Sequence, residues 1–280
     1  MPTALHIVFP RGGVSHFHPD QSVQGEWDPC FCTCGFYLAR NGSHGYTPQG
    51  IMVSLVSRFF KEWTGGLDRR QGRIAVFEHI RDIPYSLAVP MNDAKAAPEQ
   101  ILSLGRGYCG PKHYLLAAMY RKLGLDVVYA TFPFLWNNPD IRYPPELRRL
   151  AATMPVAYHL ACRVRINSRW VLVDATWDSP LSKGGFPVNG HWDGYADTKC
   201  AVQPLRSPLR IAYCRTATNE PCRDSRETEL NPLDGEQDHG DEEDHVQYYR
   251  RRTRMRTAEE IEQIARFYPA FDAWLAEVRE

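Results

Sequence analysis

The strongest structural signal of the chain is the segment GRGYCGPKHYLLAAMYRKLGL, residues 105–125. It opens with a glycine-rich turn around Cys109 and continues into a helix predicted over 112–123, whose apolar residues recur at helical spacing. Gly124 is predicted to end this helix, because glycine adopts the left-handed conformation that commonly follows a helix. The pattern therefore places Cys109 at the start of a helix with one apolar face.

Cys109 has the surroundings of a nucleophile. A thiol at a helix N-terminus lies in the positive field of the helix dipole, which favours the thiolate. The neighbouring glycines leave backbone N–H groups accessible, and such groups can stabilise a developing oxyanion. A cysteine taken alone is more often a small buried hydrophobic residue. The glycine-rich turn before a helix favours the nucleophile over that alternative.

A general base and its orienting partner are predicted on two strands downstream, over 157–166 and 169–176. Asn167 and Ser168 between them suit a two-residue turn, in which position 166 pairs with 169 and position 161 pairs with 174. His159 then lies on the same face as Asp174, one diagonal step of about 7–8 Å away. A register slipped by one residue would separate them. His159 can thus serve Cys109 as a base, with Asp174 orienting it.

His113 is an alternative base, one turn after Cys109. A residue so near in the same helix points along the helix rather than back over its N-terminus, so His159 is preferred. Tyr85, Tyr108 and Trp177 are candidates for the surroundings of the site, although each also fits a packing role.

The order of a cysteine on a helix, then histidine and aspartate on successive strands, resembles the transglutaminase-like superfamily. The resemblance covers residues 51–215. The spacing of 15 residues between His159 and Asp174 is similar to that of compact bacterial and archaeal members. The matching motifs are GYC at 107–109, LLAAMYRKLGL at 115–125, His159, WVLVDATW at 170–177 and DIPY at 82–85.

This resemblance implies an α+β fold, in which N-terminal helices, including the nucleophile helix, pack on an antiparallel sheet. It also implies a papain-like triad with Cys109 as nucleophile, His159 as general base and acid, and Asp174 as the orienting carboxylate. Family members often carry an aromatic residue two positions after the histidine. This chain has Ala161 there, so the wall of the acyl pocket is expected to differ.

The implied activity is cysteine-dependent hydrolysis of an amide or peptide bond through a thioester, with a peptide, protein or small amide as substrate. One alternative is transfer of the acyl group to an amine, and another is a non-catalytic binding module on the same fold. Crosslinking of the eukaryotic type is not expected, because the chain lacks the length for accessory β-domains and a recognisable calcium loop. No cofactor and no metal are predicted at the triad.

Composition excludes some classes of function. The 280 residues carry 33 basic and 33 acidic side chains, so no global charge favours nucleic acid. No apolar run approaches the roughly 20 residues of a membrane helix, and the first residues lack the pattern of a secretory signal. We therefore expect a soluble, cytoplasmic protein, whose eight cysteines are thiols rather than a disulfide framework.

Four segments are predicted along the chain: an N-terminal extension over 1–50, a catalytic core over 51–215, a disordered linker over 216–256 and a helical segment over 257–280. The linker is acidic and then basic, with few large apolar residues to offset the cost of ordering it. The last segment begins with a capping box of Thr257 and Glu260. Within the core, further helices are predicted over 51–63, 73–81 and 98–102, further strands over 125–132 and 205–214, and a loop over 133–155.

Two weaker signals remain. Cys30, Cys32 and Cys34 could bind zinc, but structural zinc sites favour two-residue gaps between paired cysteines, so unpaired thiols are preferred. The basic run over 250–256 could contact RNA or an acidic partner, although such a run is more often a solvated helix face or neutralises the acidic segment before it.

Overall fold

The computed structural model describes residues 54–91, 93–205 and 236–280. The predicted N-terminal extension with its three cysteines, and nearly all of the strand predicted over 205–214, lie outside these ranges. None of the described helices is both long and apolar enough to cross a lipid bilayer.

Within the described residues, three helices precede the nucleophile segment: α1 (Leu55–Thr64), α2 (Arg69–Arg81) and α3 (Ala97–Leu104). All three overlap the predicted helices. Helix α2 begins four residues earlier than predicted, because Asp68 and Gln71 form a capping box at its start.

Helix α4 (Cys109–Lys122) is the central element of the helical layer. Cys109 is its first residue, and the Leu115 and Leu116 side chains are fully buried. Helix α4 packs against α3 and against the sheet. The nucleophile candidate therefore stands at the tip of a helix that the core holds on several sides.

The described part of the chain contains one four-stranded antiparallel sheet, in the order β3-β2-β1-β4. Its strands are β1 (Val127–Phe134), β2 (Ala157–Ile166), β3 (Arg169–Val173) and β4 (Gln237–His239). Helices packed on an antiparallel sheet confirm the expected α+β class.

The β2–β3 hairpin has the predicted register, since Ile166 pairs with Arg169. Asn167 and Ser168 form its turn with φ of 48° and 64°, the left-handed values that match the twist of a two-residue hairpin. Strand β3 ends at Val173, so Asp174 lies one residue beyond it rather than inside a longer strand.

A short helix, α5 (Pro145–Thr153), lies in the segment predicted as a loop over 133–155. Its buried residues, Leu147 and Ala151, are four positions apart and form one narrow apolar face. Prolines inside a helix usually end it, so the proline-rich sequence predicts a loop here. At the first helical position, however, proline is favourable, and Pro145 occupies that position.

The prediction of a disordered linker over 216–256 is wrong for its described part, 236–256. Strand β4 pairs with β1, and helix α6 (Glu242–Thr253) follows it. The first turn of α6 is acidic and its last turn is basic, which complements the helix dipole. The separated blocks of charge that suggested a linker are therefore the charge pattern of a helix.

The last helix, α7 (Ala258–Arg279), begins with the predicted capping box of Thr257 and Glu260 and contains Pro269. Its Phe267, Phe271 and Leu275 side chains are fully buried in an aromatic cluster with α5 and a 3₁₀ turn (Ser179–Gly184). A second cluster lies between helices α1–α4 and the sheet. Cys109 packs against both clusters.

Candidate active site

The backbone in front of Cys109 is held by a short parallel bridge to residues 84–86. The N–H of Gly107 donates to the Pro84 carbonyl over 3.1 Å, and the N–H of Ser86 donates to the Gly107 carbonyl over 3.1 Å. A Cβ on Gly107 would lie 2.8 Å from Cδ1 of the fully buried Ile101. A side chain at this position would have to displace Ile101, so close packing favours glycine. The half-buried Cys109 thiol follows two residues later.

His159 lies in β2, where its ring stacks on that of Phe132 in the neighbouring strand. Its Nε2 is 2.7 Å from Oδ2 of Asp174, and only 2% of the residue is exposed. The predicted pair is thus in direct contact, in a site from which most water is excluded.

Asp174 is fully engaged by hydrogen-bond donors. Its Oδ2 also accepts from the N–H of Ala201 over 2.7 Å, and its Oδ1 accepts from the Thr176 hydroxyl over 2.6 Å and from the Thr176 N–H over 3.2 Å. Burial raises the pKa of Asp174, but the charge and hydrogen bond of His159 outweigh burial and hold the pKa well below its usual range. The carboxylate therefore stays ionised.

The electrostatics of His159 favour its protonated form. Burial lowers the pKa of His159, but the charge and hydrogen bond of Asp174, together with the neighbouring Cys109, raise it well above 6.5. An imidazolium next to a thiol stabilises the thiolate. Cys109 and His159 also line the same cleft, so the structure brings the three predicted residues together.

His113, the alternative base, has both ring nitrogens committed to the backbone. Nδ1 lies 2.8 Å from the Cys109 carbonyl oxygen, and Nε2 lies 3.1 Å from the N–H of Ala175. Nδ1 must therefore donate and Nε2 must accept, which defines a neutral ring. Burial lowers the pKa of His113 to about 4. His113 thus ties the start of α4 to the residues after β3.

Lys112 is a residue of the site that sequence reasoning missed. It is fully buried, and its Nζ donates to the carbonyls of Arg81 and Ile83 over 2.8 Å each and of Thr176 over 2.6 Å. One side chain on the nucleophile helix thereby holds the ends of two other segments. A single lysine in a helical pattern is normally exposed to solvent, so the sequence does not indicate that Lys112 is buried and bonded to these carbonyls.

Cys200 was also missed, because it lies in a loop without periodicity. Its sulfur, a nitrogen of His159 and an oxygen of Asp174 lie within 4.8 Å of one another. Burial raises the pKa of Cys200 to about 11. The oxygens of Asp174 already accept four hydrogen bonds, one of them from His159 itself. The group therefore fits a hydrogen-bond network better than a metal centre.

The cleft in front of Cys109 has a volume of about 770 Å³. The three aromatic candidates, Tyr85, Tyr108 and Trp177, all line it. Trp177 packs on Tyr85 with ring centroids 4.5 Å apart and donates from Nε1 to the Ala201 carbonyl, so its indole N–H is engaged by the protein. Ala161 packs instead in a small buried cluster with Ala130, Phe132 and Leu172.

Comparison with known proteins supports the resemblance. The family model of the transglutaminase-like superfamily matches residues 61–175, which confirms the expected resemblance over that part of the chain. At the level of that family, the match supports cysteine-dependent chemistry. No curated protein is similar enough to this chain to count as a match.

Among solved structures, a candidate cysteine protease from Cytophaga hutchinsonii is similar at 17% identity and a TM-score of 0.32. The similarity covers 45% of this chain and 38% of that one, so the chain spans about two fifths of the length of its structural neighbour. At this identity and score the likeness carries no argument about activity.

Proposed function

From the transglutaminase-like core over residues 61–175, we propose that the chain is a cysteine-dependent hydrolase of amide or peptide bonds. The observation that carries the proposal is the 2.7 Å contact between His159 Nε2 and Asp174 Oδ2, in a cleft that the Cys109 thiol also lines. Peptides, proteins and small amides are the proposed substrates.

In the proposed first half-reaction, the Cys109 thiolate attacks the amide carbonyl carbon and a C–S bond forms. The carbonyl oxygen takes up the displaced electron pair, and the N–H of Cys109, one of the unpaired donors at the start of α4, lies where it can stabilise that charge. The C–N bond then breaks. The amine leaves with the proton of His159, whose raised pKa keeps that proton available.

In the second half-reaction, His159 takes a proton from water and the resulting hydroxide attacks the thioester. The C–S bond breaks, a carboxylic acid leaves, and the thiolate–imidazolium pair is restored. Nε2 stays with Asp174 throughout, so Nδ1 is the nitrogen that exchanges protons with substrate and water. Overall, one amide and one water are consumed, and one acid and one amine are formed.

Intact-mass detection of a covalent acyl adduct tests this proposal, with a panel of activated amides and esters applied to the wild type and to Cys109→Ala. We expect an adduct of the acyl mass on the wild type alone. An amine added as acceptor separates hydrolysis from acyl transfer, because transfer converts the product from an acid to a new amide.

Alkylation separates an enzyme from a non-catalytic binding module. Iodoacetamide near neutral pH, followed by peptide mapping, should label Cys109 faster than Cys162 or Cys200, because Cys162 is buried and burial raises the pKa of both Cys162 and Cys200. His159→Ala should abolish that selectivity. Equal labelling of the three thiols in the wild type would favour the binding module.

A further inference from the structure

Residues 84–87 form a short segment that is bonded both to the turn before Cys109 and to helix α7. Its Tyr85 pairs with Gly107 in the parallel bridge described above, two residues before the Cys109 thiol. The same segment is bonded to two acidic or basic side chains of α7, a helix that also lines the cleft. A displacement of α7 would therefore reach the nucleophile through one short stretch of backbone.

Asp272 makes the first of these attachments. Its carboxylate accepts from the Ser86 hydroxyl over 2.9 Å and from the Leu87 N–H over 2.9 Å. The N–H of Ser86 in turn donates to the Gly107 carbonyl over 3.1 Å. Ser86 is therefore bonded to α7 through its side chain and to the turn before Cys109 through its backbone.

Arg279 makes the second attachment, about two helical turns further along α7. Its Nη2 donates to the Tyr85 carbonyl over 2.8 Å. Its Nε and Nη2 also donate to the two carboxylate oxygens of Asp178, over 2.8 and 2.9 Å. The Asp178 carboxylate accepts from the Tyr85 N–H over 2.8 Å. Both backbone polar groups of Tyr85 are thus engaged by the Arg279–Asp178 ion pair.

The Arg279–Asp178 ion pair is shielded from water, since the exposed fraction of the side chain is 23% for Arg279 and 3% for Asp178. Buried pairs are screened less by salt, and hydrogen bonds to charged groups are stronger than neutral ones. Asp178 also directly follows Trp177, whose ring packs on that of Tyr85 with centroids 4.5 Å apart. The ion pair therefore fixes the backbone that carries two aromatic rings of the cleft.

Building on the proposed hydrolase, we infer that Arg279 is a positioning residue for acyl transfer. Together with Asp178 it fixes the backbone of Tyr85. Through the bridge to Gly107, it thereby fixes the Cys109 N–H that receives the oxyanion.

Two features set this role apart from that of the triad. Helix α7 lies outside residues 61–175, the part of the chain that the family model matches, so the resemblance assigns it no part in the reaction. The thiolate is stabilised by His159, which belongs to β2, so forming the thiolate does not require Arg279. Loss of Arg279 should therefore impair the step that builds an oxyanion and spare the reactivity of the thiolate.

Two reactions of the Cys109 thiol separate these effects. Acylation by p-nitrophenyl acetate passes through an oxyanion, whereas alkylation by iodoacetamide occurs at a saturated carbon and forms none. Both reactions need the thiolate. We expect Arg279→Gln to lower the rate of acylation about ten-fold, less than the roughly hundred-fold or more that loss of a whole oxyanion donor costs. The rate of alkylation should stay within about two-fold of the wild type, because it uses no oxyanion donor. Subtracting the rate of Cys109→Ala isolates the acylation at Cys109.

Two further variants serve as controls for Arg279→Gln. Arg266→Gln removes the same charge from an exposed position of the same helix and should change neither rate. Arg279→Lys keeps the charge but lacks the planar fork of the guanidinium, so its acylation rate should lie between those of the wild type and Arg279→Gln. Equal loss of acylation and alkylation in Arg279→Gln would indicate a general loss of structure, and loss of neither would indicate no role. Either result overturns the inference.

Hydrogen exchange tests the same contacts without a substrate. The N–H groups of Ser86 and Gly107 form the bridge, so peptides that contain them should exchange about ten-fold faster in Arg279→Gln through local opening. The β2–β3 hairpin, residues 157–173, should keep its wild-type protection. Unchanged exchange at the bridge, or equally faster exchange in the hairpin, overturns the inference.

Failure of the inference and failure of the proposed function are distinguishable. Faster exchange confined to the bridge in Arg279→Gln, with no acylation of Cys109 in the wild type, supports positioning by Arg279 and overturns the hydrolase. Acylation of the wild type, with neither acylation nor exchange altered in Arg279→Gln, supports the hydrolase and overturns the positioning role.

Discussion

His159 Nε2 lies 2.7 Å from Asp174 Oδ2, so the third residue of β2 is joined to the residue just past the end of β3. The contact depends on the register of a hairpin whose turn consists of two residues only. The contact also favours the charged form of both groups, because it raises the pKa of the His159 imidazole and lowers the pKa of the Asp174 carboxylate.

Replacing Asp174 by asparagine should leave the side-chain volume unchanged and remove the charge that orients His159. An amide can also favour the wrong imidazole tautomer. We expect turnover of an active substrate to fall about 10⁴-fold, the scale seen when the orienting carboxylate of such a triad is neutralised. Initial rates measured on Asp174→Asn with a native circular dichroism spectrum check this.

The matched control is Asp126→Asn, which neutralises an exposed carboxylate paired only loosely with Arg165 at 3.8 Å. Its turnover should equal that of the wild type. A folded Asp174→Asn variant that keeps more than about a tenth of the wild-type rate would contradict a role for Asp174 in orienting the base.

The turn between β2 and β3 should gain stability when Ser168 is replaced by glycine. Ser168 has φ of 64°, a left-handed value that costs a residue with a Cβ roughly 1–2 kcal/mol. Ser168→Gly should therefore raise the free energy of unfolding by about 1 kcal/mol in urea titrations. Ser168→Ala, which keeps the Cβ, should show no such gain, and a gain of equal size in both would refute the strain argument.

Lys112→Met should be strongly destabilising. It leaves three carbonyls, of Arg81, Ile83 and Thr176, without their shared donor in a buried position. Each unsatisfied buried group costs about 1–3 kcal/mol, so the free energy of unfolding should fall by at least about 3 kcal/mol. Urea unfolding of the full chain measures the loss.

Lys122→Met is the control for Lys112, since it removes an ammonium from the last turn of the same helix. Lys122 is exposed and donates to the Ser57 hydroxyl at the surface. Its substitution should change stability by less than about 0.5 kcal/mol. Similar losses for the two lysines would show that the three buried hydrogen bonds contribute little.

Acid should destabilise the protein through buried histidines. Burial lowers the pKa to about 4 in His113 and His239 and to about 3 in His245. Between pH 6.5 and 4 the unfolded chain binds these protons and the folded chain does not, so stability falls as pH falls. Each histidine contributes a slope of about 1.4 kcal/mol per pH unit.

His159 and Asp174 add contributions of other kinds to the pH dependence. The raised pKa of His159 adds stability that is complete below pH 6.5 and is lost as pH rises through the folded pKa. The lowered pKa of Asp174 adds stability that is complete above about pH 4 and is lost in stronger acid. The three buried histidines therefore act across the window from pH 6.5 to 4. Near its acid end Glu242 adds to the slope, because burial raises its pKa but the hydrogen bonds of Tyr129 and Arg121 hold the pKa below 4.5.

Between pH 6.5 and 4, His245→Gln should lower the number of protons taken up on unfolding by about one, and the slope of stability against pH should fall accordingly. His245 is buried, bonded through Nδ1 to the Tyr114 hydroxyl over 2.6 Å and 5.7 Å from the ring of His239. Urea unfolding at several pH values gives the slope. The exposed His191→Gln serves as control and should leave it unchanged. An unaltered slope in His245→Gln would show that His245 is protonated in the folded state.

Local patterns predicted the elements that need only short-range information. The helix that begins near Cys109, the capping box at Thr257 and the two-residue turn at Asn167 follow from periodicity, capping chemistry and turn geometry. The turn then sets the register, and the register brings His159 and Asp174 together.

Long-range features were not predictable in this way. The polar composition of helix α6 predicts a linker, yet its Tyr248 side chain is almost fully buried on the core. The role of Lys112 depends on carbonyls that come from two distant segments. For helix α6 and for Lys112, the residues they contact are far away in sequence, so the local sequence pattern does not identify them.

By itself, the sequence determined that a thiol stands at a helix tip and that an imidazole and a carboxylate share one hairpin. The tertiary structure alone decided which helices line the cleft and what holds the nucleophile helix in place. The physical reason is that periodicity reports which face of an element is buried, whereas the partner that covers this face is chosen by packing of the whole chain.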